Sequence, residues 1–167
     1  MASSQQTASR LGTRLRENVE HVVERYVTRM RKDPQIPLAA DLPTPMLEDH
    51  AMTFLGDLFQ TLVVHEEADQ LADRDESELL NDGTRIQHLI SELHGRQRHR
   101  VGWTEAALER EYDIFTEEVE ALARRHGSEV DSGVPLESAI GVLRRHLDRA
   151  RKISLKAYAT AASEAKR

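Results

Sequence analysis

The sequence contains no cysteine among its 167 residues, which excludes disulfide bonds and thiolate ligands for a metal. Aromatic residues make up only 4% of the chain, so few rings are available to line a haem pocket. No cationic start leads into an apolar run of the kind that marks a secretory signal. No apolar run approaches the roughly 18 residues that a membrane-spanning helix needs. From these absences we expect a cytoplasmic protein that does not enter the membrane.

Charged residues, in contrast, are abundant. They make up 31% of the chain, above the roughly 25% of an average domain, so many of them must lie on solvated helix faces. The formal net charge of -6 argues against a general affinity for nucleic acid. The length suits one compact domain with an apolar core.

Apolar residues recur at helical spacing along most of the chain, and no strand-like alternation is found. The first helix is expected to run from Leu11 to Met30 and to end at Asp33-Pro34. The next segment, DPQIPLAADLPTP, holds four of the five prolines, so we expect an extended crossing loop.

A second helix is expected to begin at Thr44, which can act as its N-cap with Pro45 in the first turn. An acidic stretch follows, HEEADQLADRDESELLNDG, whose charge density favours a solvated loop or a short surface helix. Asp82-Gly83 is expected to form a turn before the third helix. The buried stripe of the second helix reads Leu47, Ala51, Phe54, Leu55, Leu58 and Leu62.

Three further helices complete the predicted set. The third is expected to bury Ile86, Leu89, Ile90 and Leu93, with Gln97 as a weaker member of the same face. Thr104 is expected to cap the fourth, whose stripe reads Leu108, Tyr112, Phe115, Val119 and Leu122. The last carries Leu136, Ile140, Leu143, Leu147, Ala150 and Tyr158.

These patterns predict an all-α fold of five or more helices, with either globin-like, non-haem packing or helical-bundle packing. The expected organisation is a flexible N-terminus over residues 1–10 and a helical domain over residues 11–126. A linker over residues 127–135 and a long C-terminal helix over residues 136–167 follow.

A polar cluster is predicted where the third and fourth helices pair across a short turn. His94 and Glu111 then lie at similar depths on facing helices, and Arg98 lies on the same face as His94. Because a buried carboxylate is costly unless it is paired, we expect these side chains, together with Tyr112, to contact one another. The cluster is interpreted either as a structural network that fixes helix register or as a polar ligand pocket or switch based on a titrating histidine.

Other candidate sites are weaker. His50 is spaced toward the interior between Leu47 and Phe54, so we expect a core histidine rather than a metal or haem ligand and include it in the same predicted polar network or pocket. With so few aromatic rings, haem bound by His50 or His94 is a minor alternative. No zinc motif is present, and the acidic stretch lacks the spacing and central glycine of a calcium loop. No phosphate-binding loop, nucleophile elbow or kinase motif is found, so we expect neither catalysis nor a cofactor or metal.

A cationic ridge is predicted on the last helix, formed by Arg145, Arg149, Lys152 and Lys156 at spacings of three and four residues. Such a ridge is usually the solvated face of an amphipathic helix. It could also meet an acidic surface of the same or a neighbouring subunit. Contact with phosphates is a third option, which the acidic net charge disfavours.

Several short strings, taken together in their order, resemble a known family. These strings are DPQIPLAADLP, LEDHAMTFLGDL, HGRQRHRVGW and EREYDIF. They look like the N-terminal domain of the RsbT co-antagonist proteins (RsbR and RsbRD), which is also found ahead of bacterial sensor histidine kinases. The likeness spans roughly residues 11 to 126 and depends on Asp33-Pro34, Asp49-His50, His94-Gly95, Arg98, Gly102 and Glu111-Tyr112.

The resemblance implies a helical sensory module, similar to a non-haem globin, that dimerises and passes a signal to a C-terminal output domain. The family has no catalytic residues to carry over. No output domain precedes the end of the sequence at Arg167, so we expect either a fragment or a free-standing partner. The leading hypothesis is thus a homodimeric stress-response or sensor-kinase module that relays a signal through its last helix. A haem- or small-ligand-binding globin relative and a nucleic-acid-associated helical protein remain as alternatives.

Overall fold

The computed structural model describes residues 10–68, 76–130 and 134–166, and the side chains of residue 68 and residues 76–83 are not considered. No strand occurs within these ranges, so the predicted all-α fold is confirmed. A 3-10 helix, Pro37–Ala40, lies between the second and third α-helices. The α-helices are α1 (Leu11–Glu17), α2 (Val19–Lys32), α3 (Thr44–Glu48), α4 (Ala51–Ala68), α5 (Glu76–Arg100), α6 (Glu105–Gly127) and α7 (Leu136–Glu164).

The apolar core is built mainly by α1, α2, α4, α6 and α7, with Leu47 of α3 and with Ile36, Ala39 and Trp103 from the segments outside the α-helices. Helix α7 packs along both α5 and α6, α1 packs on α4, and α2 packs on α6. None of the described helices is long and apolar enough to cross a membrane. The predicted linker falls between the end of α6 at Gly127 and the start of α7 at Leu136, whereas most of the predicted flexible N-terminus lies outside the described residues.

The first predicted helix is broken in two at Asn18, between α1 and α2. The backbone of Asn18 is not helical, and its side-chain amide donates to the carbonyl of Arg14 at 2.8 Å. Asparagine competes for backbone hydrogen bonds in this way, which disfavours a continuous helix. The predicted stripe is nevertheless buried in both pieces, at Leu11, Leu15, Val22, Tyr26 and Met30.

The second predicted helix is also broken, at Asp49 and His50 between α3 and α4. Asp49 has a φ of 44°, a left-handed conformation that a helix cannot contain. The predicted cap at Thr44 is wrong, because Pro43 is the N-cap and the Thr44 hydroxyl accepts from Arg31 at 3.0 Å. The preceding loop is less extended than predicted, since it contains the 3-10 helix.

The third predicted helix corresponds to α5, but the predicted buried face is wrong. Ile86, Leu89 and Leu93 are exposed, and Ile90 is only partly buried. The buried face of the described part of α5 is polar instead. It consists of Gln87, Ser91, Gly95 and Arg98, with His94 largely covered.

The acidic stretch is more helical than expected. Helix α5 begins at Glu76 and continues through Asp82-Gly83, so the predicted turn there is wrong. A glycine inside a helix costs only about 1 kcal/mol, and the packing of α5 on its neighbours can offset that cost. Glu66 is also not solvated, because its side chain is fully buried and accepts from the backbone N–H of Gly12 at 3.2 Å. Burial raises the pKa of this carboxyl group, against the backbone donors and Arg10 that lower it. The acidic residues 69–75 lie outside the described residues.

Helices α6 and α7 match their predicted faces. The Thr104 hydroxyl accepts from the N–H of Ala107 at 3.1 Å, so the predicted cap of α6 is confirmed. The turn before it uses Gly102 at a φ of 84°, a conformation that glycine adopts without strain. The predicted stripe of α6 and the Ile140, Leu143, Leu147 and Ala150 positions of α7 are buried, while Leu136 and Tyr158 are partly buried.

Candidate functional site

A buried charge cluster occupies the space between α3, α5 and α6, with Glu111 at its centre. The Glu111 carboxylate is 1% exposed and accepts hydrogen bonds from three side chains. Arg98 donates through Nη2 at 2.7 Å and through Nε at 3.0 Å, and His94 Nε2 lies 3.1 Å away. The hydroxyl of Tyr26, from α2, also donates to this carboxylate. Such complete pairing is what allows a carboxylate to remain ionised inside a protein.

Arg98 is fully buried and uses all of its donors. In addition to Glu111, its Nη1 donates to the carbonyl of Met46 and to the side chain of Gln97, both at 2.7 Å, and its Nη2 donates to the carbonyl of Leu47 at 2.8 Å. These two carbonyls belong to α3, whose last turn has no helical partners for them. The guanidinium also lies 4.5 Å from the ring centre of Trp103, a cation–π contact. Arg98 thus ties α3 to α6 through α5.

His94 lies between two carboxylates. Its Nδ1 is 3.0 Å from Asp49 and its Nε2 is 3.1 Å from Glu111. A neutral imidazole has only one N–H, so it would leave one lone pair facing a carboxylate. The geometry therefore favours the imidazolium form. Burial lowers the pKa of His94, but the charge of Glu111 and the hydrogen bonds to Asp49 and Glu111 outweigh burial and the repulsion by Arg98, and the pKa is raised.

The charges of the cluster balance. Two cations, His94 and Arg98, face two anions, Asp49 and Glu111. Burial raises the pKa of Glu111, but the charges of Arg98 and His94 prevail and hold that pKa far below its usual range. Burial likewise raises the pKa of Asp49, and its contact with His94 more than reverses that effect. The pKa of Tyr26 is raised by burial and by Glu111, so its hydroxyl stays protonated and remains a donor.

Asp49 places the cluster at the elbow between α3 and α4. Its φ of 44° is the only positive value at a non-glycine position in the described chain. A non-glycine residue in such a conformation costs about 1–3 kcal/mol and persists only where its surroundings hold it. The His94 contact supplies one such restraint, because it fixes the Asp49 side chain to α5.

The cluster is connected to α7 through Tyr112. Ser154 of α7 has one hydroxyl proton, which it donates to the carbonyl of Ser91 at 2.7 Å. The Tyr112 hydroxyl, 2.6 Å from Ser154 Oγ, is therefore the donor in that contact. The Tyr112 ring also packs edge-on against His94, with 5.8 Å between ring centres. Burial raises the pKa of Tyr112, which keeps this donor protonated.

Gly95 allows α7 to cross α5 closely. A methyl group at this position would lie 2.8 Å from the carbonyl carbon of Ser154 and would overlap its carbonyl oxygen. Any larger side chain would therefore move α7 away and separate Ser154 from Ser91. The dipeptide His94-Gly95 thus combines a charged contact with α6 and a backbone contact with α7.

The polar face of α5 continues beyond the cluster. The side-chain amide of Gln87 donates to Asp57 at 2.6 Å and accepts from His146 of α7, with Nδ1 at 2.9 Å. Ser91 donates to the carbonyl of Gln87 at 2.6 Å. Hydrogen bonds therefore join α5 to α4 and α7 along the length of this face.

A small cavity adjoins the cluster, lined by His50, Phe54, Ile90, His94, Tyr112 and Phe115 among others. Its volume is about 30 Å³, which is room for about two water molecules. The cavity is thus far smaller than the several hundred cubic ångströms of a typical ligand pocket.

The predicted site residues do not all meet. The structure brings His94, Arg98 and Glu111 together, with Tyr112 next to them. His50 is not a core histidine: its side chain is 48% exposed, because the break at Asp49 turns it outward. The four residues of the cationic ridge, Arg145, Arg149, Lys152 and Lys156, are all exposed along α7.

Several contributors to the cluster were not predicted as site residues. Tyr26 belongs to a predicted apolar stripe, and Asp49, Trp103 and Ser154 have no predicted site role. One signal was available: Gln87, Ser91, His94 and Arg98 follow one another at spacings of four, three and four, the same period as an apolar stripe. A polar row with this period indicates a buried polar face when the helices around it are amphipathic.

Among the described residues, no group of three histidine or acidic side chains is placed to hold a metal ion. The cluster itself directs Arg98 at Glu111, and the two nitrogens of His94 point at different carboxylates.

No family model matches the chain. No curated protein and no solved structure shows significant similarity to it.

Proposed function

We propose that the protein is a non-catalytic regulatory module, a homodimeric sensory domain that relays a signal through α7 to a downstream partner. The single observation that carries the proposal is the continuous path of side-chain contacts from the α3–α4 elbow to α7. The path runs by ion pairing from Asp49 to His94, which also contacts Glu111, then by ring contact from His94 to Tyr112 and by a hydrogen bond from Tyr112 to Ser154.

The chemistry of the path suits a two-state element. A buried ion network is either fully paired or costly, so it favours discrete arrangements over gradual deformation. Removing one proton from His94 would take a donor from one of its two carboxylates and place a nitrogen lone pair against that carboxylate. The elbow at Asp49 or the α6 contact would then have to change, and a signal that binds one arrangement better would shift the population.

The cluster gives little support to catalysis. Arg98 and Glu111 are each saturated with partners inside the protein, and the adjoining cavity has room only for molecules of the size of water. Haem binding has no better basis, since His50 faces outward and both nitrogens of His94 are engaged. The sequence resemblance to RsbRD-type sensory domains remains a prediction and is part of this proposal.

The absence of cysteine from the sequence makes a direct test of the relay practical. Two cysteines introduced at exposed positions, Ala159 on α7 and Glu109 on α6, would carry spin labels for a distance measurement by electron–electron double resonance. Labelled chains are diluted with unlabelled protein so that each distance lies within one chain. With His94→Gln, the α6–α7 distance is expected to shift or to show a second population.

His88→Gln is the matched control, because His88 lies on the same helix but is 48% exposed. It should leave the distance distribution unchanged. An identical α6–α7 distribution in the wild type and in His94→Gln, at pH values from 6 to 9, would contradict the relay.

A further inference from the structure

The apolar stripe of α5, defined as Ile86, Leu89 and Leu93, faces away from the core. These side chains are 46%, 56% and 44% exposed. Their spacing of three and four residues places them in one row on the helix surface. Exposed rows of large apolar side chains are uncommon on monomeric proteins and mark interaction sites.

The orientation of α5 is fixed by the opposite face of the helix. Arg98 is bound to Glu111 and to α3, and Gly95 admits the backbone of α7. Turning the apolar stripe inward would expel Arg98 from its partners and press side chains against α7. The stripe therefore cannot reach the protein's own core without breaking the charge cluster.

Charges beside the stripe indicate what covers it. Arg85 and Glu92 are both exposed and, at 100° per residue, lie on the same flank of α5, on one side of Leu89. When two copies of such a helix pack antiparallel about a two-fold axis at Leu89, equal flanks face each other. Arg85 then lies opposite Glu92 of the partner subunit, and the same pair forms again by symmetry.

We propose that a second copy of this chain packs on the apolar stripe, with its α5 antiparallel to α5 of the first. The proposal rests on the homodimer of the proposed function and adds its surface and orientation. In a parallel arrangement the flank that carries Arg85 and Glu92 would face the opposite flank of the partner's helix, on the side of Ile86 and Leu93, so this pair of opposite charges would not form. From Ile86 to Leu93 the stripe covers about 10 Å of the helix, at 1.5 Å per residue.

The first test compares two exposed leucines by sedimentation equilibrium of the full chain. The wild type is expected to dimerise in the micromolar range. Leu89→Glu places a carboxylate at the two-fold axis, where it meets its own copy, and should weaken the dimer at least a hundredfold. Leu38→Glu is the matched control, because Leu38 is 42% exposed but lies before α3, off the stripe, and it should leave the dimer unchanged.

The second test is specific for the antiparallel arrangement. Arg85→Glu and Glu92→Arg should each weaken the dimer about tenfold, because each places like charges together twice. The double variant Arg85→Glu/Glu92→Arg restores opposite charges and should recover most of the wild-type affinity. Circular dichroism of each variant at the same concentration checks that the helices are intact.

The outcomes separate this interface from the proposed function. A wild-type dimer that is insensitive to Leu89→Glu would overturn the interface and leave a homodimer elsewhere on the surface. Loss of dimer in both single charge variants without recovery in the double variant would overturn the antiparallel orientation. A wild type that stays monomeric at 100 micromolar would overturn both the interface and the homodimer, while the relay within one chain would still be decided by the label distances.

Discussion

Gly95 and Ser154 bring the backbones of α5 and α7 into contact, with no room for a methyl group between them. We predict that Gly95→Ala destabilises the protein by about 3 kcal/mol, the upper end of the range for overpacking, because backbone rather than a flexible side chain must move. The measurement is the free energy of unfolding in urea.

Gly56 offers the matched control for this substitution. It lies within α4, and a methyl group there would have no neighbour within 4 Å. Gly56→Ala should therefore stabilise the protein by about 0.5–1 kcal/mol through helix propensity alone. Equal effects of the two substitutions would show that α7 does not cross α5 at Gly95.

Glu111→Gln tests the centre of the charge cluster. The amide has almost the same size, but it removes the anion that neutralises Arg98 and His94. We expect a loss of about 3 kcal/mol, as is found when one member of a buried ion pair is removed. Glu109→Gln, two residues earlier on α6 and with a side chain that is 48% exposed, should change the unfolding free energy by less than about 0.5 kcal/mol.

The pH dependence of stability tests the protonation of His94. Its pKa is raised in the folded state, so its contribution is fully present below the unfolded value of about 6.5 and is lost as pH rises through the folded value. We expect the unfolding free energy to fall above pH 6.5, with a slope of at most about 1.4 kcal/mol per pH unit for one proton. His94→Gln should remove this slope, and His88→Gln should retain it.

A second histidine acts in a different pH window. Burial lowers the pKa of His146, and the charges of Arg149 and Arg145 add to that effect. A histidine with a lowered folded pKa stabilises the protein above its unfolded pKa and loses that contribution as pH falls. His146 therefore changes the unfolding free energy below about pH 6.5, whereas His94 changes it above that pH, so the two contributions can be measured separately.

Two substitutions at Asp49 distinguish the effect of backbone strain from the effect of the side-chain charge. Asp49→Gly removes the strain at a φ of 44° but also removes the carboxylate that faces His94, whereas Asp49→Ala removes the carboxylate and retains the strain. We expect the glycine variant to be more stable than the alanine variant by about 1 kcal/mol. Equal unfolding free energies of the two variants would mean that the elbow is not strained.

The sequence predicted most of the helices because their apolar stripes are regular. The exceptions arise where a polar side chain takes a role that periodicity does not reveal. Asn18 and Asp49 break helices through their own backbone conformations. Neither is a proline or a glycine, the residues that usually mark a break.

For α5 the sequence pattern predicts the wrong buried face, and the reason is physical. Ile86, Leu89 and Leu93 satisfy the rule for a buried stripe, yet Gln87, Ser91 and Arg98 fill the interior. Polar side chains can do so only when each finds a partner on another helix, and those partners come from distant parts of the chain. The contact between His94 and Glu111 could be predicted because one short turn joins their helices. The roles of Tyr26, Asp49 and Ser154 could not be predicted, because they depend on how distant helices pack together.

The most direct test of the buried charge cluster is the nitrogen-15 NMR spectrum of the His94 imidazole at pH 7. An imidazolium held between Asp49 and Glu111 predicts that both ring nitrogens carry protons, with both resonances in the protonated range. The same spectrum of Glu111→Gln should show one unprotonated nitrogen. An unprotonated ring nitrogen on His94 of the wild type at pH 7 would contradict an imidazolium held between Asp49 and Glu111.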